Sequence, residues 1–114
     1  MARSVVEIVG MFTRIDRGKV PPQRLDEFTS FIRDEVVPEL RKLRGYLSTS
    51  VGIERSSGAL SVSTNWDTSE DRERCDEVLA TVLKNASRFE LVPIHIDVYE
   101  LVLVDSDQTP YRSS

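Results

Sequence analysis

The sequence predicts an α+β, ferredoxin-like βαββαβ domain: a four-stranded antiparallel sheet with two helices on one of its faces. Three observations carry this. Several segments are rich in β-branched residues or alternate apolar and polar side chains with the period of a strand. Two stretches between them place apolar residues three and four apart, the spacing of one buried helix stripe. The elements follow in the order strand, helix, strand, strand, helix, strand within 114 residues, which is the split βαβ arrangement. Right-handed crossovers then put both helices on the same side.

The first strand is expected from Val5 to Ile15, ending in a charged turn, Asp16-Arg17-Gly18-Lys19. Pro21-Pro22 suits a helix start, because proline lacks an N–H that a first turn leaves unpaired. The stripe Leu25, Phe28, Ile32, Val36, Leu40 and Leu43 defines the first helix. Pro38 within it predicts a kink or break, and Gly45 a left-handed stop. Leu47, Thr49, Val51 and Ile53 share one pleat of the second strand. Arg55-Ser56-Ser57-Gly58 is short enough to join it to a third strand, whose Leu60, Val62, Thr64 and Trp66 alternate with Ser61, Ser63 and Asn65. Thr68-Ser69-Glu70-Asp71 reads as a capping box. Cys75, Val78, Leu79, Val82 and Leu83 form the buried stripe of the second helix, expected to reach about Asn85. Ile94 to Val104 is the fourth strand. One domain over residues 1–104 is expected, followed by a polar, poorly ordered tail over 105–114.

Composition excludes several classes of function. The formal net charge is −4, which offers no electrostatic footprint for nucleic acid or an anionic membrane. Apolar runs such as Leu101 to Val104 are far below the roughly 18 residues that span a bilayer, and the first residues lack a secretory apolar core. A cytoplasmic protein is the expectation. With one cysteine, Cys75, and one histidine, His95, neither a disulfide nor a cysteine-type zinc site is expected. Cys75 lies on an apolar stripe, where a free thiol behaves as a small hydrophobe. No phosphate-binding glycine loop, HExxH or GxSxG motif occurs.

The pleat bearing Leu47, Val51, Ile53, Leu60, Val62, Trp66, Ile94, Ile96 and Val98 is expected to face the helices. The reverse pleat then carries Ser48, Ser50, Ser61, Ser63, Asn65, His95, Asp97 and Tyr99, with Glu7 from the first strand. A small, polar second face fits either water or an enclosed contact with a second copy. His95, Asp97 and Tyr99 stand at i, i+2, i+4, so their side chains leave one face about 7 Å apart. An acid beside a histidine sets its tautomer, which suits acid–base work on a phenol or enol, with Tyr99 as hydrogen-bond donor. The same three residues could instead satisfy one another or a symmetry mate. Arg14, Arg17, Lys19 and Arg24 are expected as solvated charges around the first turn.

Leu43-Arg44-Gly45-Tyr46-Leu47-Ser48 and Val62-Ser63-Thr64-Asn65-Trp66-Asp67-Thr68-Ser69-Glu70-Asp71 resemble the antibiotic biosynthesis monooxygenase superfamily of dimeric α+β barrels. The resemblance covers residues 5 to 104 and implies a homodimer whose two sheets close a barrel, with a pocket in each protomer between helices and sheet. Its aromatic polyketide monooxygenases carry a catalytic Asn four residues before this tryptophan and a Tyr six after it. Here those positions hold Val62 and Arg72. The haem-degrading branch uses a histidine and a second tryptophan in or after the second helix, and neither occurs between Glu70 and Phe89, so no cofactor is expected.

Two functions follow from the resemblance. One is a cofactor-independent monooxygenase, or related small enzyme, acting on a hydrophobic aromatic or polyketide-like molecule. Its substrate would lie beside Trp66, Phe12, Phe28 and Val62, with His95, Asp97 and Tyr99 as the catalytic group. The other is a non-catalytic dimer of the same fold that binds a small ligand or a protein partner.

Overall fold

A computed structural model describes the backbone of residues 3–6 and 10–107 and the side chains of 10–105. Strand β1 (Arg3–Val6) is followed by β2 (Met11–Lys19), a 3-10 turn at Pro22–Arg24 and α1 (Leu25–Phe31). A π-helical turn, Ile32–Val36, links α1 to α2 (Val37–Arg41). Then come β3 (Tyr46–Glu54), β4 (Ala59–Trp66), α3 (Ser69–Ala86), a 3-10 turn at Ser87–Phe89, β5 (Val92–Leu101) and β6 (Val104–Asp107). The main sheet has the order β3-β4-β2-β5, and β1 pairs with β6 in a separate two-stranded ribbon. All pairings are antiparallel. This is the expected βαββαβ arrangement with a four-stranded sheet.

The first strand differs from expectation at both ends. Gly10, at φ +85°, separates β1 from β2, and β2 runs straight through Asp16–Lys19 rather than turning there. Two local causes are visible. Arg14 and Asp16 lie two apart on one pleat and pair with each other, so the charges suit a strand. Gly18 serves close packing, since a Cβ there would lie 3.0 Å from the Leu91 side chain and 3.1 Å from the Val92 carbonyl oxygen. The chain turns instead at Val20, whose N–H donates to the Gly58 carbonyl at 3.0 Å.

The first helix buries Leu25, Phe28, Ile32, Val36 and Leu40 along one stripe. Pro38 lies in the first turn of α2, where its missing N–H does least harm, and the π turn ahead of it absorbs the change in the hydrogen-bond ladder. Gly45 ends this unit at φ +79°. The Thr68 hydroxyl caps α3 by accepting from the Asp71 N–H at 3.0 Å. The Asp71 carboxylate answers Arg74 rather than the Thr68 backbone. In α3, Cys75, Leu79 and Ala86 are buried, Val78 and Val82 pack more loosely against the core, and Leu83 is half-buried.

Along β4, Leu60, Val62, Thr64 and Trp66 are buried against the helices and the residues between them are half-buried. The register pairs Phe12, Arg14, Asp16 and Gly18 of β2 with this pleat. Two expected core positions are corrected. Leu47 sits where the β3–β4 register slips between Tyr46 and Ser48, so it leaves the alternation and is 47% exposed, and Tyr46 packs edge-on to Trp66 at 5.6 Å in its place. Ile94 sits where the β2–β5 register slips between Arg17 and Gly18 and is 63% exposed. One extra residue in a strand is enough to move a side chain off its face. Ile96 and Val98 do share the helix-side pleat, opposite Asp16 and Arg14. They remain 49% and 45% exposed because β5 is an edge strand that the helices only partly cover.

The fourth strand starts at Val92, breaks at Val102-Leu103 and resumes as β6. β6 takes up the first three residues of the segment expected as a tail. Glu7 and the chain beyond Asp107 lie outside the described residues.

Candidate functional site: an apolar cleft and a polar sheet face

The helix side of the sheet encloses a cavity of about 70 Å³. Phe28, Ile32 and Val36 form one wall, Leu79, Val82, Leu83 and Ala86 of α3 another, and Leu60 and Val62 of β4 the floor. Leu91, Pro93 and Ile96 border its open side along β5. The cleft exists because α3 packs over β2 and β4 and hardly reaches β5, which leaves Ile96 49% exposed and Val82 and Leu83 only half-buried.

Asp16 stands on this wall, on the same pleat as its neighbours Val62 and Ile96. Its carboxylate receives two parallel bonds from Arg14, Nε to Oδ2 at 3.0 Å and Nη2 to Oδ1 at 2.8 Å. The remaining Arg14 arm, Nη1, donates to Asp76 of α3, which Arg72 also approaches at 3.5 Å. Burial works against the Arg14 charge, but the hydrogen bond and charge of Asp16, with a smaller contribution from the Asp76 hydrogen bond, outweigh it and raise the guanidinium above its ordinary range. Beside this cluster, burial pushes the Cys75 thiol up to about 11.

The reverse side of the sheet is polar. His95 Nε2 lies 2.9 Å from Asp97 Oδ1, and Arg17 Nε donates to Asp97 Oδ2 at 3.3 Å. The register sets His95 against Arg17, Asp97 against Ile15 and Tyr99 against Thr13. Ser61, Ser63 and Asn65 continue that pleat on β4, and Asn65 donates to the Ser48 hydroxyl at 2.9 Å.

The residues singled out in the sequence therefore fall into two groups. Phe28 and Val62 line the cleft. Trp66 is fully buried, donates from Nε1 to the Thr64 hydroxyl at 2.9 Å and borders neither that cleft nor the shallow groove near Gly52 and Ser61. Phe12 is half-buried opposite Trp66. His95 borders the cleft, yet its ring joins Asp97 and Arg17 on the pleat opposite to Asp16. Tyr99 is exposed on that same reverse pleat.

Arg14 and Asp16 are the residues that sequence reasoning misplaces. Arg14 is not a solvated charge of a turn, because the strand continues and directs it under α3, where it is buried. The signal is present but weak: Phe12, Arg14, Asp16 and Gly18 share one pleat, and two charges in that set read as solvent-facing until the register is known.

No family model matches the chain. Two uncharacterized proteins of Mycobacterium tuberculosis, MT2634 and Rv2557, are each 30% identical to it over 104 residues, 82% of this chain and 46% of theirs. The chain thus spans about half the length of the curated relatives it matches. Among solved structures, MupZ from Pseudomonas fluorescens superposes with a TM-score of 0.68 at 10% identity, over 80% of this chain and 72% of that one. A protein of Deinococcus radiodurans assigned to the antibiotic biosynthesis monooxygenases gives 0.65 at 10% identity, over 90% of this chain and 99% of that one. SnoaB from Streptomyces nogalater, a cofactor-independent oxygenase, gives 0.59 at 13% identity, over 82% of this chain and 94% of that one. The chain has the antibiotic biosynthesis monooxygenase fold. Within that fold, Val62 contributes to the cleft floor, and Arg72 turns to Asp76 with its Nε buried and without a hydrogen-bond partner. Among the described residues no helix is long and apolar enough to cross a membrane.

Proposed function

We propose that this protein binds a small hydrophobic molecule, an aromatic ring above all, in the helix-side cleft. The observation that carries the reading is the cleft itself: a concave site walled by Phe28, Ile32, Leu79, Leu83 and Val62, with a single carboxylate set into it. Sites for small ligands have this make-up, apolar walls with a few placed polar groups. An enclosed apolar cavity of about 150 Å³ holds benzene. This one is about 70 Å³, less than half of that, but it is open along β5, so a ring enters edge-first and projects past Ile96. Toluene tests the reading. Ligand that binds only the native state raises the melting temperature by mass action, so a rise is expected with toluene and its loss in Val82→Phe, which fills the cleft. No rise in the native protein, or an undiminished rise in folded Val82→Phe, overturns it.

The second reading is cofactor-independent oxygenation, supported by the 2.9 Å contact between His95 and Asp97 and by the shared fold with SnoaB. If His95 donates Nε2–H to Asp97, Nδ1 keeps its lone pair and can take a proton from an acidic phenol or enol. The resulting electron-rich anion is the species that can reduce O₂ without a metal or flavin. Tyr99, four residues on from His95 on the same pleat, is the hydrogen-bond donor in this scheme. Because the His95 ring is on the reverse pleat, its substrate would sit on the polar side of the sheet. Oxygen uptake with an anthrone, abolished by His95→Ala, is the expected result. Unchanged turnover in His95→Ala removes His95 from the chemistry, and absence of turnover leaves binding as the function.

Both readings include a homodimer. Edge strand β5 exposes Ile94, Ile96, Val98 and Tyr99, with Val102 and Leu103 just beyond it. A long apolar edge of this kind invites pairing. Sedimentation at micromolar concentration is expected to give twice the mass of 12.9 kDa, and a monomer mass contradicts the pairing.

A further inference from the structure

We infer that Asp16 is the specificity-determining residue of the cleft and that it selects neutral hydrophobic ligands carrying a hydroxyl group, phenols or alcohols. The inference rests on the proposed occupation of the cleft and adds the chemistry of its occupant. Three features of the site lead to it.

Asp16 is placed where a ligand can reach it. Its side chain is 22% exposed, against 7% for Arg14, and it borders the cavity between Val62 and Ile96, its two cross-strand neighbours. Arg14 is tucked behind it under α3, so the carboxylate stands between the guanidinium and the cavity.

Asp16 is also oriented in advance. The two parallel bonds from Arg14 fix the plane of its carboxylate, and Asp76 holds Arg14 from the helix side. Each carboxylate oxygen can accept more than one hydrogen bond, so the pairing leaves acceptor capacity towards the cavity. A site fixed by its surroundings loses little freedom on binding.

Finally, the chemistry of the acceptor disfavours ligands that offer no hydrogen-bond donor and ligands that carry charge. A carboxylate accepts and cannot donate, so an ether or ketone finds no partner there, and an anionic ligand meets like charge. Arg14 already balances the charge of Asp16, which removes the attraction that would favour an ammonium over a neutral donor. A hydroxyl meets both requirements, burying an apolar body among Phe28, Leu79 and Leu83 while its O–H donates to Asp16. Hydrogen bonds to charged groups are the stronger ones, and leaving such an acceptor desolvated and unpaired is unfavourable.

The test compares p-cresol, 4-methylanisole, toluene and p-toluate by calorimetric titration of the intact protein. These share a methylated ring and differ in the group offered to Asp16. Binding of p-cresol about tenfold tighter than 4-methylanisole is expected, on the scale of one hydrogen bond to a charged group. In Asp16→Asn the preference should fall to about twofold or less, while Asp76→Asn, which touches Arg14 but not the cavity, should retain it. Equal binding of p-cresol and 4-methylanisole to the native protein, or tighter binding of p-toluate, overturns the role of Asp16 while toluene binding upholds the cleft. The native comparison stands even if Asp16→Asn fails to fold. If none of the four binds, the cleft reading falls and this inference with it.

Discussion

The two sides of the sheet use the same residue types to opposite ends. On the helix side Arg14 pairs with Asp16, and on the reverse Arg17 pairs with Asp97. The Arg14 side chain is 7% exposed and that of Arg17 is 49%. The first pair is enclosed by α3, held in a fork and linked to a helix through Asp76, so it acts as part of the core and as the polar point of a cavity. The second is a single bond at the surface, available to water, a twin molecule or a substrate. The difference shows that the role of a charge in this small protein is set by register and cover, not by residue type.

That contrast can be broken by substitution. The largest effect is expected at Trp66, fully buried on the helix side. Trp66→Ala should lower the free energy of unfolding by about 3–5 kcal/mol, measured in urea, whereas Ser63→Ala on the reverse pleat should stay within about 0.5 kcal/mol. Next in size is the pair of arginines. Removing Arg14 leaves the Asp16 carboxylate without its partner at the edge of the core, while Asp76 is half exposed and keeps Arg72, and Arg14→Ala should cost about 3 kcal/mol. Arg17→Ala should cost about 1 kcal/mol or less, as exposed pairs do. Equal losses at Arg14 and Arg17 would erase the distinction between the two faces.

A smaller effect appears with pH. Burial raises the Cys75 thiol from 9.0 to about 11, so the folded state holds its proton more tightly than the unfolded chain. The stabilisation this provides is present in full below pH 9.0 and is lost as pH rises through about 11. Cys75→Ser or Cys75→Ala should flatten that part of the stability curve. At the surface, hydrogen bonds from Ser57 and Ser56 hold the Glu54 carboxyl at about 2, and its side-chain carbon resonance should titrate there instead of near 4.5. Ser57→Ala should move the midpoint upward with little change in stability.

Much of the fold was legible because β4 and the first helix carry undisturbed periods. Leu60, Val62, Thr64 and Trp66 alternate without a slip, and Leu25, Phe28, Ile32, Val36 and Leu40 keep their stripe through a π turn, whose wider ladder suits the four-residue steps from Phe28 to Leu40. Leu47 and Ile94 were misplaced for one shared reason. Each lies at a register shift, and a bulge depends on what the neighbouring strand does, which no local pattern records. The candidate site was less legible than the fold. Phe28 and Val62 were correctly drawn toward the interior, but the cavity arises from how far α3 falls short of β5, a property of two elements remote in sequence. Asp16 looked like turn chemistry because its partner, Arg14, neutralises it only once both are held on one pleat. His95, Asp97 and Tyr99 were expected on one face from their spacing, and they share it. Which side of the sheet that face occupied relative to a cavity needed the register with β2.

The most direct measurement of the division between the two faces is an amide-resolved NMR titration with p-cresol. Shifts are expected to concentrate at Asp16, Val62, Leu79, Leu83 and Ile96 around the cleft, with Thr13, Ser61, Ser63 and Tyr99 on the reverse pleat left in place. Shifts centred on Ser61, Ser63 and Tyr99, with the α3 amides unmoved, would contradict that division.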